Sequence, residues 1–554
     1  MTRFHVCFLM VAVAILLITA NPLPIVAQDE TPTKVTNQNR IGDLPFSTSV
    51  DTDVEHVDIA SGSLIVRIPI ASTKGRGLDF DFLLRYDAHF FVTAQRVYIT
   101  GQPYLVWNIE NRAWFPDLYG AGWETNASRT TYGTQKVSCN SPNPNDYATY
   151  IGGYIYHDPN GGKHPLAYEW TTGGSCAGAE DVSGPDLTGQ GIWATPGLSG
   201  NRFHPNVTLA DGTQRAWKDS NGNQRGEGVG AVDSLGRTIV SQQNGTNQVL
   251  YNVYDSNGVL QTYTANYTTM NLQTNFNALP PPGFTGGIGE YSGSRKVITS
   301  IVLPNSRSYQ FQYDAYGGIT RIDLPTGGYL TYTWATLLDA NRTYRYVASR
   351  TVNVNGQNFA WNFSHTGGNH SITVTVTDPL GNQSVYGVGD GAVESAKFYQ
   401  GSATGTPLRQ HAIDYVYDAD PLLPFNSSLT YDEPQIAKRP IRITTTLDNG
   451  QVSKKEFDYE TLTYPFHNYP CDPSCDLTTF TTSRGNVTEI REYDYGAVPG
   501  SYGSGTPGPL LRRTDKTYLH NANANYLTYN IVGKVLQETI YDGASNQRWC
   551  PESC

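Results

Sequence analysis

Six cysteines, Cys139, Cys176, Cys471, Cys475, Cys550 and Cys554, are the residues of this sequence best placed for covalent chemistry. Cys471-Asp-Pro-Ser-Cys475 and Cys550-Pro-Glu-Ser-Cys554 each hold two thiols with three residues between, a spacing that suits local disulfides. Zinc would need all four thiolates, but the two pairs are 75 positions apart, from Cys475 to Cys550, and no histidine stands beside either. Cys139 with Cys176 is the natural third pair, although spacing alone leaves the connectivity open. An even count of this kind points to an oxidising compartment.

Other candidate chemistry is sparse. The sequence carries no Gly-x-Ser-x-Gly elbow, no His-Glu-x-x-His and no Gly-x-x-x-x-Gly-Lys. His365 and His370 share a Gly-rich turn that two imidazoles could offer to a metal, but without a nearby carboxylate they read as turn residues. Asp219-Ser-Asn221-Gly222 and Asp255-Ser-Asn257-Gly258 begin like calcium loops, yet neither continues to the bidentate Glu that completes one. They read as hairpin turns. Glycoside hydrolysis needs two carboxyls roughly 5–10 Å apart across a cleft, which sequence cannot locate on a sheet. The expectation is a protein with no catalytic residues, no cofactor and no metal. Tyr, Trp and Asn on turns offer flat apolar platforms with polar rims, suited to sugar or protein contact.

The 554-residue chain has a net charge of −11 and only 16% charged residues, which argues against a nucleic-acid partner. Arg3, an apolar run from Val6 to Ala20 and a small residue at Ala27 before Gln28-Asp-Glu read as a cleaved export signal over 1–27. Cys7, within it, comes too early to carry a lipid. No later stretch is long and apolar enough to cross a bilayer as a helix. The expected location is the cell surface or the medium, and the expected partners are proteins or carbohydrates there.

The elements that must position any site are strands. Gly at 55 and Tyr at 37 residues favour turns and pleated surfaces over helices. After a polar linker at 28–43, Leu64, Val66 and Ile68 alternate with Ile65 and Arg67, and Leu78 to Tyr86 alternates again. Residues 100–200 read as an insertion of loops and short strands within an N-terminal β region spanning 44–295. From 296 to 554 an internal repeat emerges at an offset of 21 residues: Leu303 with Leu324, Pro304 with Pro325, Phe311 with Tyr332, Tyr313 with Trp334. Each unit is strand, Pro turn, strand, followed by a second turn at Tyr313-Asp314-Ala-Tyr-Gly317. In Asp-x-x-Gly the Asp side chain folds onto the backbone and Gly accepts the positive φ that closes the turn. Asp378-Pro-Leu-Gly381 repeats the pattern. The preceding Tyr is expected to lay its ring over the sheet with its hydroxyl near water. The fold class is all-β, with hairpins winding into a large curved or shell-like sheet.

The unit around Tyr313, Asp314 and Gly317 resembles the YD repeat of Rhs proteins. Asp58-Ile-Ala-Ser-Gly62-Ser-Leu64 with Leu78-Asp-Phe and Arg85-Tyr86 is similar to the start of their ordered region, and Pro509 to Tyr518 to a stretch before their main array. The resemblance implies a secreted or surface protein whose repeats wind a sheet into a hollow shell, which in the family often encloses a C-terminal toxin. Carbohydrate binding has been linked to some members. Here the repeats are few and degenerate, and the family's core motif and a toxin are missing, so the resemblance implies an N-terminal part of a longer protein or a truncated copy. Asp378-Pro-Leu-Gly381 is similar to an element of the family's autoproteolytic core but, alone, reads as a turn. The expected function is structural or interactive, as part of such a shell or a binding surface. The alternative is a carbohydrate-binding protein or glycosidase on a β scaffold.

Overall fold

The computed structural model describes residues 49–548, apart from internal stretches of which the longest are 74–79, 110–119, 139–146, 173–180, 215–222, 280–286, 420–434 and 468–476. The signal at 1–27, the linker at 28–43, all six paired-cysteine candidates (Cys139, Cys176, Cys471, Cys475, Cys550, Cys554), His370 and the Asp219 loop lie outside the described residues.

The protein is all-β: strands make up 64% of it and helix 2%. Strands Ser49–Asp51, Glu55–Asp58, Leu64–Thr73, Phe80–Asp87 and Trp123–Thr125 form a five-stranded antiparallel sheet. Its alternating residues Leu64, Val66, Ile68 and Phe80, Phe82, Leu84, Tyr86 all enter one apolar core, as a period of two requires. The stretch from 100 to 200 is more regular than its composition suggests. Arg129–Ser138 and Tyr147–His157 pair over most of their length, and Tyr154, Tyr156, Tyr168 and Trp170 fill a second, separate core. Bulky aromatics spaced irregularly along the chain hide this lobe from a periodicity reading.

One sheet dominates. Nineteen strands, from Val240–Asn244 to Gln547–Arg548, lie in chain order, each hydrogen-bonded to the next and all antiparallel, and the sheet does not close into a barrel. It begins at Val240, ahead of residue 296, where the sequence places the start of the repeat region. Strands Ser292–Val302, Ser308–Tyr313, Ile319–Asp323 and Tyr329–Leu337 are the two 21-residue copies, and they pair as neighbours. Phe311, Ile322 and Leu330 stand opposite one another across three strands and are all buried. This row packs on the N-terminal sheet in a single core reaching from Val57 to Ala396.

A local device recurs along this ribbon. The ladder between Ser292–Val302 and Ser308–Tyr313 stops at Ser300↔Gln310. Three residues on from Gln310, the Tyr313 hydroxyl donates to the carbonyl of Ile298, two residues beyond Ser300, at 2.5 Å. On its other side the strand bulges between Gln312 and Tyr313. One repeat later the ladder stops at Arg321↔Thr331, Trp334 Nε1 donates to Ile319 O at 3.0 Å, and the bulge lies between Thr333 and Trp334. The same offsets hold for Tyr415 with Val393 O, Tyr459 with Pro440 O and Tyr518 with Val487 O, at 2.7, 2.7 and 2.8 Å. Each of these tyrosines also follows a bulge. A bulge bends the strand and increases its twist. The neighbour on the other side then splays away, and the long aromatic side chain spans the opening to satisfy the carbonyl left behind. Curvature is thereby written into the ribbon at regular places.

The ribbon bends far enough for its late strands to meet the N-terminal half again. Val532 and Gly533 donate their backbone N–H groups to Ala210 O, both at 2.8 Å, and the Asn530 side-chain amide donates to the carbonyls of Gly191, Thr208 and Leu209.

Candidate functional site: a docked repeat turn and an aromatic groove

The turn at Asp314 is built entirely from local chemistry. Gly317 N–H donates to Asp314 O and Asp314 N–H to Gly318 O, both at 2.9 Å, while Asp314 Oδ1 accepts from the N–H groups of Tyr316 and Gly318. Gly317 has φ +81°, the left-handed position that ends a three-residue hairpin loop. Asp378 with Gly381 repeats all four bonds, and so do Asp158, Asp233 and Asp255. Asp255 is therefore a turn residue, with its carboxylate held below the usual range by the N–H groups of Val259 and Asn257. For Asp378, burial works against ionisation, but hydrogen bonds from Asn382 and Leu380 outweigh it and lower the pKa.

The Leu-Pro turns have the same backbone form. Leu303 bonds with Ser306 and Arg307, and Leu324 with Gly327 and Gly328, through the same two main-chain hydrogen bonds. Pro304 and Pro325 occupy the second position, where a fixed φ near −65° suits the turn. Leu303 and Leu324 carry no carboxylate; Asn305, two residues after Leu303, accepts from Arg307 N–H instead. The two turn types that alternate along the sequence are thus one geometry with two side-chain solutions.

The Asp314 turn is also where the N-terminal sheet docks. The Tyr86 hydroxyl, fully buried, donates to Gly317 O at 3.0 Å, and Trp123 Nε1 donates to the Tyr313 hydroxyl at 2.8 Å. Arg345 pairs with Asp314 Oδ2 and lies over the Tyr316 ring, 4.2 Å from its centroid. Burial raises the pKa of Tyr313 well above its ordinary value. This corrects the expectation that the hydroxyl of the repeat tyrosine faces water: it is an internal donor. Tyr415, Tyr459, Tyr518 and Trp334 share this role, which residue types alone do not reveal. The available signal was the 21-residue equivalence of Tyr313 with Trp334, two side chains that have in common a polar N–H or O–H at the tip.

No family model matches the chain, and no curated protein matches it. Among solved structures, the crystal structure of TcdB2-TccC3-TEV aligns with 97% of this chain at 11% identity and a TM-score of 0.17. The chain spans 30% of the length of that structure's chain. A superposition that loose carries no argument, so the site rests on its own geometry.

Beside the first Leu-Pro turn lies an open groove of about 440 Å³ walled by Pro69, Gln261, Tyr263, Leu303, Pro304, Asn305 and Tyr309. Two phenols and two prolines supply flat apolar faces, and Gln261 and Asn305 supply amides; none of the seven is charged. Burial raises the pKa of both Tyr263 and Tyr309, and for Tyr309 the Asp53 carboxylate adds to the effect, so both rings are neutral hydrogen-bonding groups at ordinary pH. Such a wall can stack on and hydrogen-bond a neutral ligand. His365 is elsewhere, buried and stacked on Tyr346 with ring centroids 4.1 Å apart, and no cluster of three or more metal-binding side chains occurs among the described residues.

Proposed function

We propose that this chain is an exported YD-repeat structural and interaction protein, contributing an Rhs-type curved β shell or binding surface outside the cytoplasm. The observation that carries the reading is the unbroken nineteen-strand ribbon, in which one turn geometry and one aromatic latch recur at fixed offsets. Stacked hairpins of this kind share a continuous core and present a long surface, which suits scaffolding or adhesion. The leader over 1–27 and the cysteine count support export. Expression with the native N-terminus should yield extracellular protein whose intact mass begins at Gln28, and a non-reducing peptide map should join Cys471 to Cys475 and Cys550 to Cys554. Cytoplasmic retention with the leader attached would remove the export reading.

A second reading, carbohydrate binding, is favoured by the uncharged Tyr263–Tyr309 groove. Because its wall contains no carboxylate, it suits binding without hydrolysis. A glycan array should show neutral-sugar hits that Tyr263→Ala and Tyr309→Ala abolish; a blank array for the unaltered protein disposes of the sugar reading.

A further inference from the structure

A second, enclosed cavity lies where the N-terminal five-stranded sheet hands over to the aromatic lobe. The chain passes from Thr125, the end of one strand, to Arg129, the start of the next, in four steps, and both residues form part of the cavity wall. Its free space, about 10 Å³, is room for one small body. The wall is polar and densely charged, with Arg85, Lys163, Glu124 and Asp158 also in it.

Among its groups, Thr125 Oγ1 and Arg129 Nε have no hydrogen-bond partner, in side chains that are 4% and 8% exposed as residues. Leaving such groups unsatisfied is costly, more so for a charged guanidinium. Both have a hydrogen to donate. The wall's carboxylates are already engaged. Glu124 takes Arg85 on Oε1 and Arg129 Nη1 on Oε2, each at 2.7 Å. Asp158 takes the N–H groups of Asn160 and Gly162 on Oδ1 and His164 on Oδ2. The wall carries three cationic side chains, Arg85, Arg129 and Lys163, against the two carboxylates of Glu124 and Asp158, so one monoatomic anion balances its charge while accepting from both orphaned donors.

We infer that this cavity is a halide site, holding one chloride between Thr125 Oγ1 and Arg129 Nε and so fixing the lobe to the N-terminal sheet. The site is independent of the groove and of the export reading. Because the anion binds only the folded joint, it stabilises by mass action. At constant ionic strength, replacing sodium gluconate with sodium chloride should raise the thermal midpoint by about 2 °C or more. Crystals soaked in sodium bromide should show an anomalous peak within hydrogen-bonding reach of both atoms. Thr125→Val should lose most of the chloride-specific shift, and so should Arg129→Lys, which keeps a charge for Glu124 but no Nε donor. An ordered water with no bromide peak overturns the inference, as does a halide shift equal in the unaltered protein and both variants.

Discussion

Tyr313 shows how much one polar atom does in this fold. Its hydroxyl donates to Ile298 O and accepts from Trp123 Nε1, tying two strands of the ribbon and the N-terminal sheet together. Tyr313→Phe keeps the ring but strands a buried carbonyl and a buried indole N–H, and should cost about 1–3 kcal/mol. Urea unfolding should show a lower midpoint with an unchanged slope; an unchanged midpoint would mean water substitutes freely. His365 makes a different single-residue prediction. Burial, with His89 nearby, pushes its pKa down to about 3, so the native state does not take up a proton that the unfolded chain binds near 6.5. Stability from this residue is therefore complete above about pH 6.5 and declines as pH falls toward 3, with a limiting slope of about 1.4 kcal/mol per pH unit. His365→Gln should flatten the stability profile between about pH 4 and 6. An identical slope in the two proteins would place the acid sensitivity elsewhere.

At the scale of the element, the turn and the latch divide the work. The turn reverses the chain and sets register; the latch sets how the following strands diverge. Gly317 and Gly381 separate the backbone part of this from the packing part. Both have φ near +80°, at +81° and +83°. A Cβ on Gly381 would meet nothing within 4 Å, whereas on Gly317 it would lie 3.1 Å from Ala121 Cβ and 3.3 Å from both Leu272 and Phe90. Gly381→Ala should cost about 1 kcal/mol from backbone strain alone, and Gly317→Ala clearly more, because it also pushes the N-terminal sheet off the turn. Equal midpoints in thermal melts would show that the docking contact yields without cost. For the latch, a triple variant Tyr415→Phe, Tyr459→Phe, Tyr518→Phe leaves every ladder bond in place. Circular dichroism should still report full strand content, while small-angle scattering should report a larger radius of gyration. A radius matching that of the unaltered protein would assign the curvature to the bulges alone.

For the whole molecule, the ribbon's return to the aromatic lobe is the contact on which its curved shape depends. Asn530 has φ +53°, a strained position for a side-chain-bearing residue, and its amide serves three carbonyls of the lobe at 2.8–3.0 Å. Beside it, Glu460 accepts from His520 and Asn486, and these bonds hold its carboxyl below the usual range although burial opposes them. Asn530→Ala should release the late strands, seen as faster amide exchange across 510–542 with no change across 296–337. Faster exchange in both stretches would mean that the ribbon and its return contact unfold as one unit.

The all-β class, the hairpin unit and its 21-residue offset were legible from residue types, because alternation and Asp-x-x-Gly or Leu-Pro turns are local rules. A turn needs only its own four or five residues to close, and a strand needs only parity to choose its buried face. Everything that required a partner distant in the chain was decided by the tertiary structure. That includes the start of the ribbon at Val240, the inward hydroxyl of Tyr313, the equivalence of Tyr415, Tyr459 and Tyr518, and the cavity at Thr125 and Arg129. A tyrosine at a strand end looks the same in sequence whether its hydroxyl meets water or a carbonyl. Which one it meets depends on where the neighbouring ladder stops, and that is fixed only when the whole ribbon has bent round its core.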